Sequence, residues 1–258
     1  MKSNFLPYLE FMISFHCNLN CKACALYSGL VKEPQFPNLE KFTRDLEKLH
    51  EYISDVDTIR ILGGEPLLNP EINEYVKLTR RIYPAADIYI VTNATLLTKM
   101  PEDFFETLRS YNVKIFISVY LPMKNKIPEI QNFLQQKNIG FRIMPNVIEN
   151  FTISQTLQPC PDKAKQFSHC SDAVCNTIFD GKIAACGRTF MTKYFNAYFN
   201  KNLPVDGTLN LYEEGLTAEK IKKHLITPFE RCRYCVNPRL IKWETIKYPS
   251  QISDWIIE

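Results

Sequence analysis

The sequence predicts an α/β fold in which parallel strands alternate with crossover helices. Short apolar runs alternate with amphipathic stretches from residue 8 to about residue 146, which is typical of repeated βα units. Near residue 150 this alternation stops, cysteines become frequent, and an Asp180-Gly181 pair indicates a tight β-hairpin. We therefore expect a main domain over residues 1–150 and a small cysteine-rich extension, containing the hairpin, over residues 151–258.

Each element of the main domain follows from a local pattern. Residues 9–15 form a mainly apolar run, as expected of a buried strand. Leu39, Phe42, Leu46 and Leu49 alternate spacings of three and four, which places them on one face of a helix. The other expected strands are residues 58–62, 87–92, 113–119 and 140–144, and the other expected helices are residues 70–82, 102–109 and 128–137. In such folds the functional residues lie at the carboxyl ends of the strands.

The composition excludes several classes of protein. The chain has 258 residues, 45% of them hydrophobic, so it can bury a full core and is neither disordered nor fibrous. A net charge of +3 gives no sign of nucleic-acid or membrane-surface binding. The N-terminus lacks the pattern of a secretory signal, and no segment reaches the roughly 18 apolar residues of a membrane span. We therefore expect a cytoplasmic protein without a nucleic-acid or membrane partner.

Nine cysteines are the unusual feature of the composition. Thiols stay reduced in the cytoplasm, so clustered cysteines there indicate metal or redox chemistry rather than disulfides. The cysteines are Cys17, Cys21, Cys24, Cys160, Cys170, Cys175, Cys186, Cys232 and Cys235.

The first cysteine cluster directly follows the first predicted strand. Cys17, Cys21 and Cys24 have the spacing C-x3-C-x2-C, and such thiolates can hold three corners of a [4Fe-4S] cluster, leaving the fourth iron open to a small chelating ligand. Structural zinc usually takes four protein ligands, and three buried free cysteines do not suit a short polar loop. The loop resembles that of the radical S-adenosylmethionine (radical SAM) superfamily, which implies a partial (β/α)6 TIM-like barrel, a SAM-binding [4Fe-4S] cluster and S-adenosylmethionine (SAM) as cofactors.

Further motifs carry the same resemblance. The segment Gly63-Gly64-Glu65-Pro66 ends the second strand, where the superfamily has its GGEP motif, and the resemblance implies that Glu65 and nearby backbone hold the SAM ammonium group. It also implies that Asn93, after the third strand, lies near SAM. The implied SAM-binding residues are Gly63, Gly64, Glu65, Asn93, Ser118 and Arg142.

Three of these residues have structural alternatives. Asn93 can be a turn residue, Ser118 a satisfied strand hydroxyl and Arg142 a surface charge. The sequence also departs from the superfamily at Ala23, where many relatives place an aromatic residue against the adenine, and Tyr27 is the candidate substitute.

The second cysteine cluster lies in the extension. Cys170, Cys186, Cys232 and Cys235 resemble the ligands of the shortened auxiliary-cluster extension of radical SAM enzymes, called Twitch, which is half of the longer SPASM domain. The resemblance implies a second, auxiliary [4Fe-4S] cluster. A structural zinc site would use the same four thiolates. Cys175 is an alternative ligand or a thiol that faces the substrate.

The expected activity is that of a radical SAM enzyme with one auxiliary cluster. The resemblance implies that a 5'-deoxyadenosyl radical removes hydrogen from a small polar substrate, such as a sugar, aminocyclitol or sugar nucleotide, giving oxidation or epimerisation. Flavodoxin or ferredoxin would supply electrons. Peptide or protein modification is the alternative, disfavoured because no further domain of about 80 residues is present to hold a leader peptide. A non-enzymatic iron-sulfur or zinc protein would not need the glycines, Glu65 and Asn93 at strand ends.

Overall fold

Strands and helices alternate along the chain in the computed structural model, which describes residues 4–257. The strands are β1 (Phe5–Ser14), β2 (Asp55–Gly63), β3 (Asp87–Thr92), β4 (Lys114–Ile117), β5 (Phe141–Ile143), β6 (Asn150–Gln155), β7 (Thr177–Phe179), β8 (Lys182–Ala184), β9 (Thr208–Asn210) and β10 (Cys235–Lys242). The helices are α1 (Leu39–Tyr52), α2 (Ile72–Ile82), α3 (Glu102–Ser110), α4 (Ile127–Gln136), α5 (Lys163–Ser168), α6 (Arg188–Phe199) and α7 (Ala218–Leu225).

One mostly parallel sheet organises the molecule. Its strand order is β5-β4-β3-β2-β1-β7-β8-β9, and the strands from β5 to β7 in this order run parallel. The fold is the partial TIM-like barrel that the sequence predicted, and the five expected strands of the main domain are all present. The carboxyl ends of β1 to β4 therefore meet at one edge, where the sequence places its motifs.

The predicted hairpin is confirmed, but its position in the sheet was not foreseen. β7 and β8 pair antiparallel around Asp180 and Gly181, while β7 pairs parallel with β1 through Glu10 and Thr177. The extension therefore continues the main sheet, and β1 lies between strands from both parts of the chain. The division at residue 150 stays a prediction.

Two apolar cores lie against β1. Leu9, Phe11 and Ile13 of β1 pack into the larger core with the helices of the main domain. Met12 belongs to a second core that the C-terminal half supplies, with Phe195 and Trp255 among its members. This arrangement explains the apolar run of the first strand, because β1 is covered on both faces.

Several elements of the extension were not predicted. β6 and β10 form a separate two-stranded antiparallel sheet, although both carry many polar residues and neither alternates regularly. Helix α6 buries Thr189, Phe190, Met191 and Thr192 in succession, so its sequence shows no clear helical period. Among the described residues, no helix is long and apolar enough to cross a membrane.

Candidate functional site

The first cysteine cluster opens into a cavity at the carboxyl edge of the sheet. Cys17, Cys21 and Cys24 line this cavity, whose volume is about 250 Å³. Residues that follow β2, β3 and β4 line it as well, so the sequence motifs converge here as predicted. The members of the predicted SAM-binding set among the lining residues are Gly63, Gly64, Asn93 and Ser118. We call this space the cysteine-loop cavity.

The two glycines bring β2 against the chain that leads into the cysteine loop. A Cβ on Gly63, whose φ is +148°, would lie 2.1 Å from the Ser14 carbonyl oxygen, and one on Gly64 would lie 2.0 Å from the His16 carbonyl oxygen. The Gly64 amide donates to the Ser14 carbonyl at 2.8 Å. Since no larger residue fits, these glycines fix the position of the loop that carries Cys17.

Glu65 is buried and bonded to its neighbours, and it does not line the cavity. Its carboxylate accepts hydrogen bonds from Thr92 Oγ1 at 2.6 Å, the Asn93 amide at 2.9 Å and the Leu67 amide at 3.1 Å. Burial raises the pKa of Glu65 to about 7, although these three hydrogen bonds lower it. Its oxygens thus join the ends of β2 and β3, and the expected contact between Glu65 and SAM stays a prediction.

Asn93 connects the end of β3 to the cysteine loop. Its Nδ2 donates to Asn18 Oδ1 at 2.9 Å and approaches Cys17 Sγ at 3.8 Å. Its amide therefore orients the chain beside Cys17. Its Oδ1 also accepts from the Thr95 amide at 2.9 Å, which is the turn role that the sequence left open, and its expected position near SAM stays a prediction.

Arg142 and Tyr27 do not join the cavity. Arg142 points towards the start of β3, where its guanidinium lies 3.8 Å from Asp87 and its side chain is 66% exposed. Its expected role with the SAM carboxylate is not supported, because β5 presents it on the surface. Tyr27 is buried in the second core between Phe195 and Trp255, so it does not replace the missing aromatic residue against adenine.

The C-terminal segment covers the cysteine loop, which the sequence did not indicate. Trp243 Nε1 donates to Cys21 Sγ at 3.2 Å. The Lys22 amide donates to the Glu244 carbonyl and the Ala23 amide to the Asp254 carbonyl. The chain that follows β10 therefore holds the first cysteine cluster from outside the main domain.

The four cysteines of the second cluster line one small cavity. Cys170, Cys186, Cys232 and Cys235 surround a space of about 30 Å³ that Phe167, Phe229, Arg188 and Arg231 also line. Cys175 is not among these residues, and it lines a surface pocket with Tyr8 and Arg60 instead. The four predicted ligands thus line one cavity, and Cys175 lies nearby but is not among its lining residues.

In the metal-free chain, burial raises the pKa values of several cysteine thiols. Burial raises the pKa of Cys17, Cys21 and Cys186 to about 12 and that of Cys232 to about 11. These thiols are protonated at neutral pH, so metal binding must release protons. No group of His, Cys, Asp or Glu side chains within residues 4–257 is arranged to hold a metal ion as the side chains stand. The donor atoms nevertheless fit iron-sulfur clusters, because three thiols line the first cavity and four thiols line the second.

A third cavity, of about 170 Å³, lies between the two cysteine sites. It shares Ala25 and Phe151 with the cysteine-loop cavity, and Cys170, Cys235 and Arg188 with the second cysteine site. Its polar lining residues are Thr152, Ser154, Gln166, His169, Ser171, Asp172, Arg188 and Asn237. We call it the intermediate cavity.

Comparison with known proteins agrees with this architecture. The sequence model of the radical SAM superfamily matches residues 11–124. The chain is similar to GTP 3',8-cyclases, with 33% identity to that of Alkaliphilus oremlandii over 44% of this chain and 36% of the cyclase, and 34% identity to that of Thermodesulfovibrio yellowstonii over 45% and 37%. The matched region thus spans little more than a third of these relatives. The crystal structure of BtrN in complex with AdoMet and 2-DOIA has a similar fold, with a TM-score of 0.51 and 14% identity over 90% of this chain and 93% of BtrN.

The fold and the family match define the class. Residues 11–124, which are less than half of the chain, are a radical SAM domain, and the fold of the chain agrees with that class. Enzymes of this superfamily use a [4Fe-4S] cluster together with S-adenosylmethionine.

Proposed function

We propose that this enzyme removes a hydrogen atom from a small polar substrate held in the intermediate cavity and oxidises that substrate. The substrate class is a sugar, aminocyclitol or sugar nucleotide, and the reaction converts a carbon that bears a hydroxyl group into a ketone. The observation that carries the proposal is the location of a polar cavity between the two cysteine sites, with walls shared with both.

The chain's own cysteines are proposed to hold two clusters. Cys17, Cys21 and Cys24 would hold the SAM-binding [4Fe-4S] cluster, with Asn93, Ser118 and the backbone of Gly63 and Gly64 around SAM. Cys170, Cys186, Cys232 and Cys235 would hold an auxiliary [4Fe-4S] cluster. When bound, the first cluster and SAM supply the radical that takes the hydrogen atom, and the auxiliary cluster supplies an acceptor for the remaining electron.

The polar groups of the intermediate cavity suit a substrate that carries hydroxyl or amino groups. Arg188 donates to Ser154 Oγ at 3.2 Å and lies 3.3 Å from Asp172 Oδ2, so the wall presents both charges. The Nε of Arg188 is buried without a protein partner. Oxidation of a carbinol also releases the hydroxyl proton, and the Asp172 carboxylate and the His169 imidazole are the acceptors in this cavity.

The position of Cys175 favours oxidation over epimerisation. Epimerisation needs a hydrogen donor beside the substrate, and Cys175 was the candidate from the sequence. Its thiol lines a different pocket, with Tyr8 and Arg60. A Cys175→Ala variant is therefore expected to leave the reaction unchanged.

Other features of the proposal follow from its chemistry. A flavodoxin or ferredoxin would deliver the electron, and a reducing cytoplasm would keep the nine cysteines available. The cyclase reaction is not proposed, because the matched region covers 44% of this chain and 36% of the first relative. Peptide modification remains the alternative that the substrate test must distinguish.

The test is made with anaerobically reconstituted protein, dithionite and SAM. The wild-type chain and Cys175→Ala should each hold about eight irons and release 5'-deoxyadenosine, whereas the Cys17→Ala, Cys21→Ala, Cys24→Ala triple variant should hold about four and release none. No 5'-deoxyadenosine from iron-loaded wild type contradicts the proposal, and zinc in place of the last four irons contradicts the auxiliary cluster.

The substrate class is tested with deuterated compounds. Sugars, aminocyclitols and sugar nucleotides with deuterium on their carbinol carbons are compared with short peptides, and the 5'-deoxyadenosine is analysed by mass spectrometry. We expect deuterium transfer from the carbinol compounds, with a ketone as product. Transfer from a peptide alone would favour the alternative.

A further inference from the structure

Two arginines point their guanidinium groups at the same cysteine of the second site. Nη1 of Arg188 and Nη1 of Arg231 each lie 3.8 Å from Cys235 Sγ and donate to it. The two residues belong to different elements, because Arg188 begins α6 and Arg231 lies in the 3-10 turn that precedes β10. Both line the cavity that the four cysteines surround.

The Arg231 side chain is buried and no carboxylate pairs with its guanidinium, since Asp206 accepts from the Arg231 backbone amide instead. Arg231 is only 2% exposed, and its guanidinium donates to Tyr27 Oη at 3.1 Å, to Thr192 Oγ1 at 3.3 Å and to Gln155 Oε1. None of the ion pairs between residues 4 and 257 involves its side chain. A buried cation surrounded by neutral groups is unfavourable unless an anion lies beside it. An anionic group held at Cys235 would lie beside this cation, because Nη1 of Arg231 contacts Cys235 Sγ.

Arg188 adds a second positive charge at the same sulfur. Its side chain is 11% exposed, and Asp172, its carboxylate partner at 3.3 Å, has a side chain that is 41% exposed. Water therefore screens the Asp172 carboxylate better than it screens the guanidinium.

We infer that Arg188 and Arg231 raise the reduction potential of the group held by the second set of cysteines and so make it an electron acceptor. Net charge, hydrogen bonds to the sulfurs and solvent exposure set the potential of an iron-sulfur cluster. Reduction adds a negative charge to a group that is already anionic. Two guanidinium groups that donate to one ligating sulfur therefore stabilise the reduced form more than the oxidised form.

This inference rests on the proposed auxiliary cluster and deepens the proposed oxidation. A dehydrogenation needs an acceptor for the electron that remains on the substrate after hydrogen removal, and a raised potential favours that transfer. Both arginines act through Cys235, so they are positioning residues and their effect must be visible in the potential itself.

The experiment uses the full chain with Cys17, Cys21 and Cys24 replaced by alanine, so that only the second site can hold iron. The protein is reconstituted anaerobically, its iron and sulfide are measured, and the cluster is titrated between redox states while electron paramagnetic resonance records the reduced form. Arg231→Gln and Arg188→Gln are each compared with this background. Arg233→Gln is the matched control, because Arg233 lies between Cys232 and Cys235 but its side chain contacts Glu230 and the Cys160 carbonyl.

We expect each glutamine variant to lower the reduced-to-oxidised ratio at a fixed potential about tenfold, which corresponds to about 59 mV for a one-electron couple. Arg231→Lys should show a smaller shift because it keeps the charge, and Arg233→Gln should show none. If Arg231→Gln does not fold, Arg188→Gln decides the result.

Two outcomes would overturn the inference, and they differ. A background protein with about four irons whose potential is unchanged by the glutamine variants contradicts the role of the arginines and leaves the proposed function standing. A background protein without iron contradicts the auxiliary cluster, and the inference falls with it.

Discussion

The motif that contains Glu65 predicted where this residue lies in the fold but not which groups it bonds to. The Gly-Gly-Glu-Pro segment correctly located Glu65 at the end of β2, next to the site. Its hydrogen bonds to Thr92 and Asn93 depend on how two loops pack against each other, and the spacing of a single motif contains no information about that packing. The same limit explains Arg142, whose strand was predicted but whose side-chain direction was not.

Glu65 should make the stability of the metal-free chain depend on pH. Its pKa is about 7 in the folded chain, against 4.5 for an unperturbed glutamate. The folded state then binds this proton more tightly than the unfolded state, so the free energy of unfolding should fall as pH rises from about 4.5 to about 7. Urea denaturation of the metal-free chain between pH 4.5 and pH 8 would measure this fall, which should disappear in Glu65→Gln.

The control is Glu106→Gln, since Glu106 is exposed on α3. This variant should keep the pH dependence of the wild type. At pH 5, Glu65→Gln should also be less stable by about 1–3 kcal/mol. The NH2 group of the glutamine would face a hydrogen-bond donor that now donates to an oxygen of Glu65. An undiminished fall in Glu65→Gln would show that other groups cause the pH dependence.

At the scale of elements, the segment after β10 stabilises the cysteine loop through contacts that join distant parts of the chain. Cys21 and Trp243 are more than 200 positions apart, and Cys21 forms an isolated antiparallel bridge with Thr245. The strands of the barrel could be predicted because each has its own apolar pattern. The segment after β10 has no local hydrophobic period, so the sequence indicated the thiols but not the segment that covers them.

Trp243→Phe tests the contact between this segment and the first cysteine site. Phenylalanine keeps an aromatic ring in the buried position and removes the N–H that donates to Cys21 Sγ. We expect faster loss of the first set of irons in the presence of a chelator, a lower rate of 5'-deoxyadenosine release and an unchanged second set of irons. Hydrogen bonds to ligating sulfur stabilise the ligand, so their removal weakens metal retention.

Trp255→Phe is the matched control for that experiment. Trp255 is also buried, and its Nε1 donates to Ser250 Oγ at 2.8 Å rather than to a cysteine. This variant should lose stability to a similar degree, about 1 kcal/mol, and keep the wild-type rate of iron loss. Equal iron loss in both variants would assign the effect to general destabilisation.

Considered as a whole, the molecule joins its two predicted parts through β1. β2 pairs with one edge of β1 and β7 with the other, and Thr177 Oγ1 donates to the buried carboxylate of Glu10 at 3.0 Å across that second edge. The sequence indicated the change near residue 150 because the pattern changes there. It could not show that the hairpin returns to β1, because strand pairing is a property of the folded sheet.

This arrangement predicts that residues 1–150 do not form a stable unit by themselves. Without the rest of the chain, one edge of β1 is unpaired and Met12, Phe15 and Tyr27 lose the second core in which they are buried. An exposed, apolar strand edge favours aggregation. We therefore expect the fragment to be insoluble or to lack a cooperative thermal transition, whereas the full chain should unfold in one transition that is the same by circular dichroism and by tryptophan fluorescence. The fluorescence reports the C-terminal half, since both tryptophans, Trp243 and Trp255, lie there. A soluble fragment that melts cooperatively and holds about four irons would show that the boundary at residue 150 separates two independent domains.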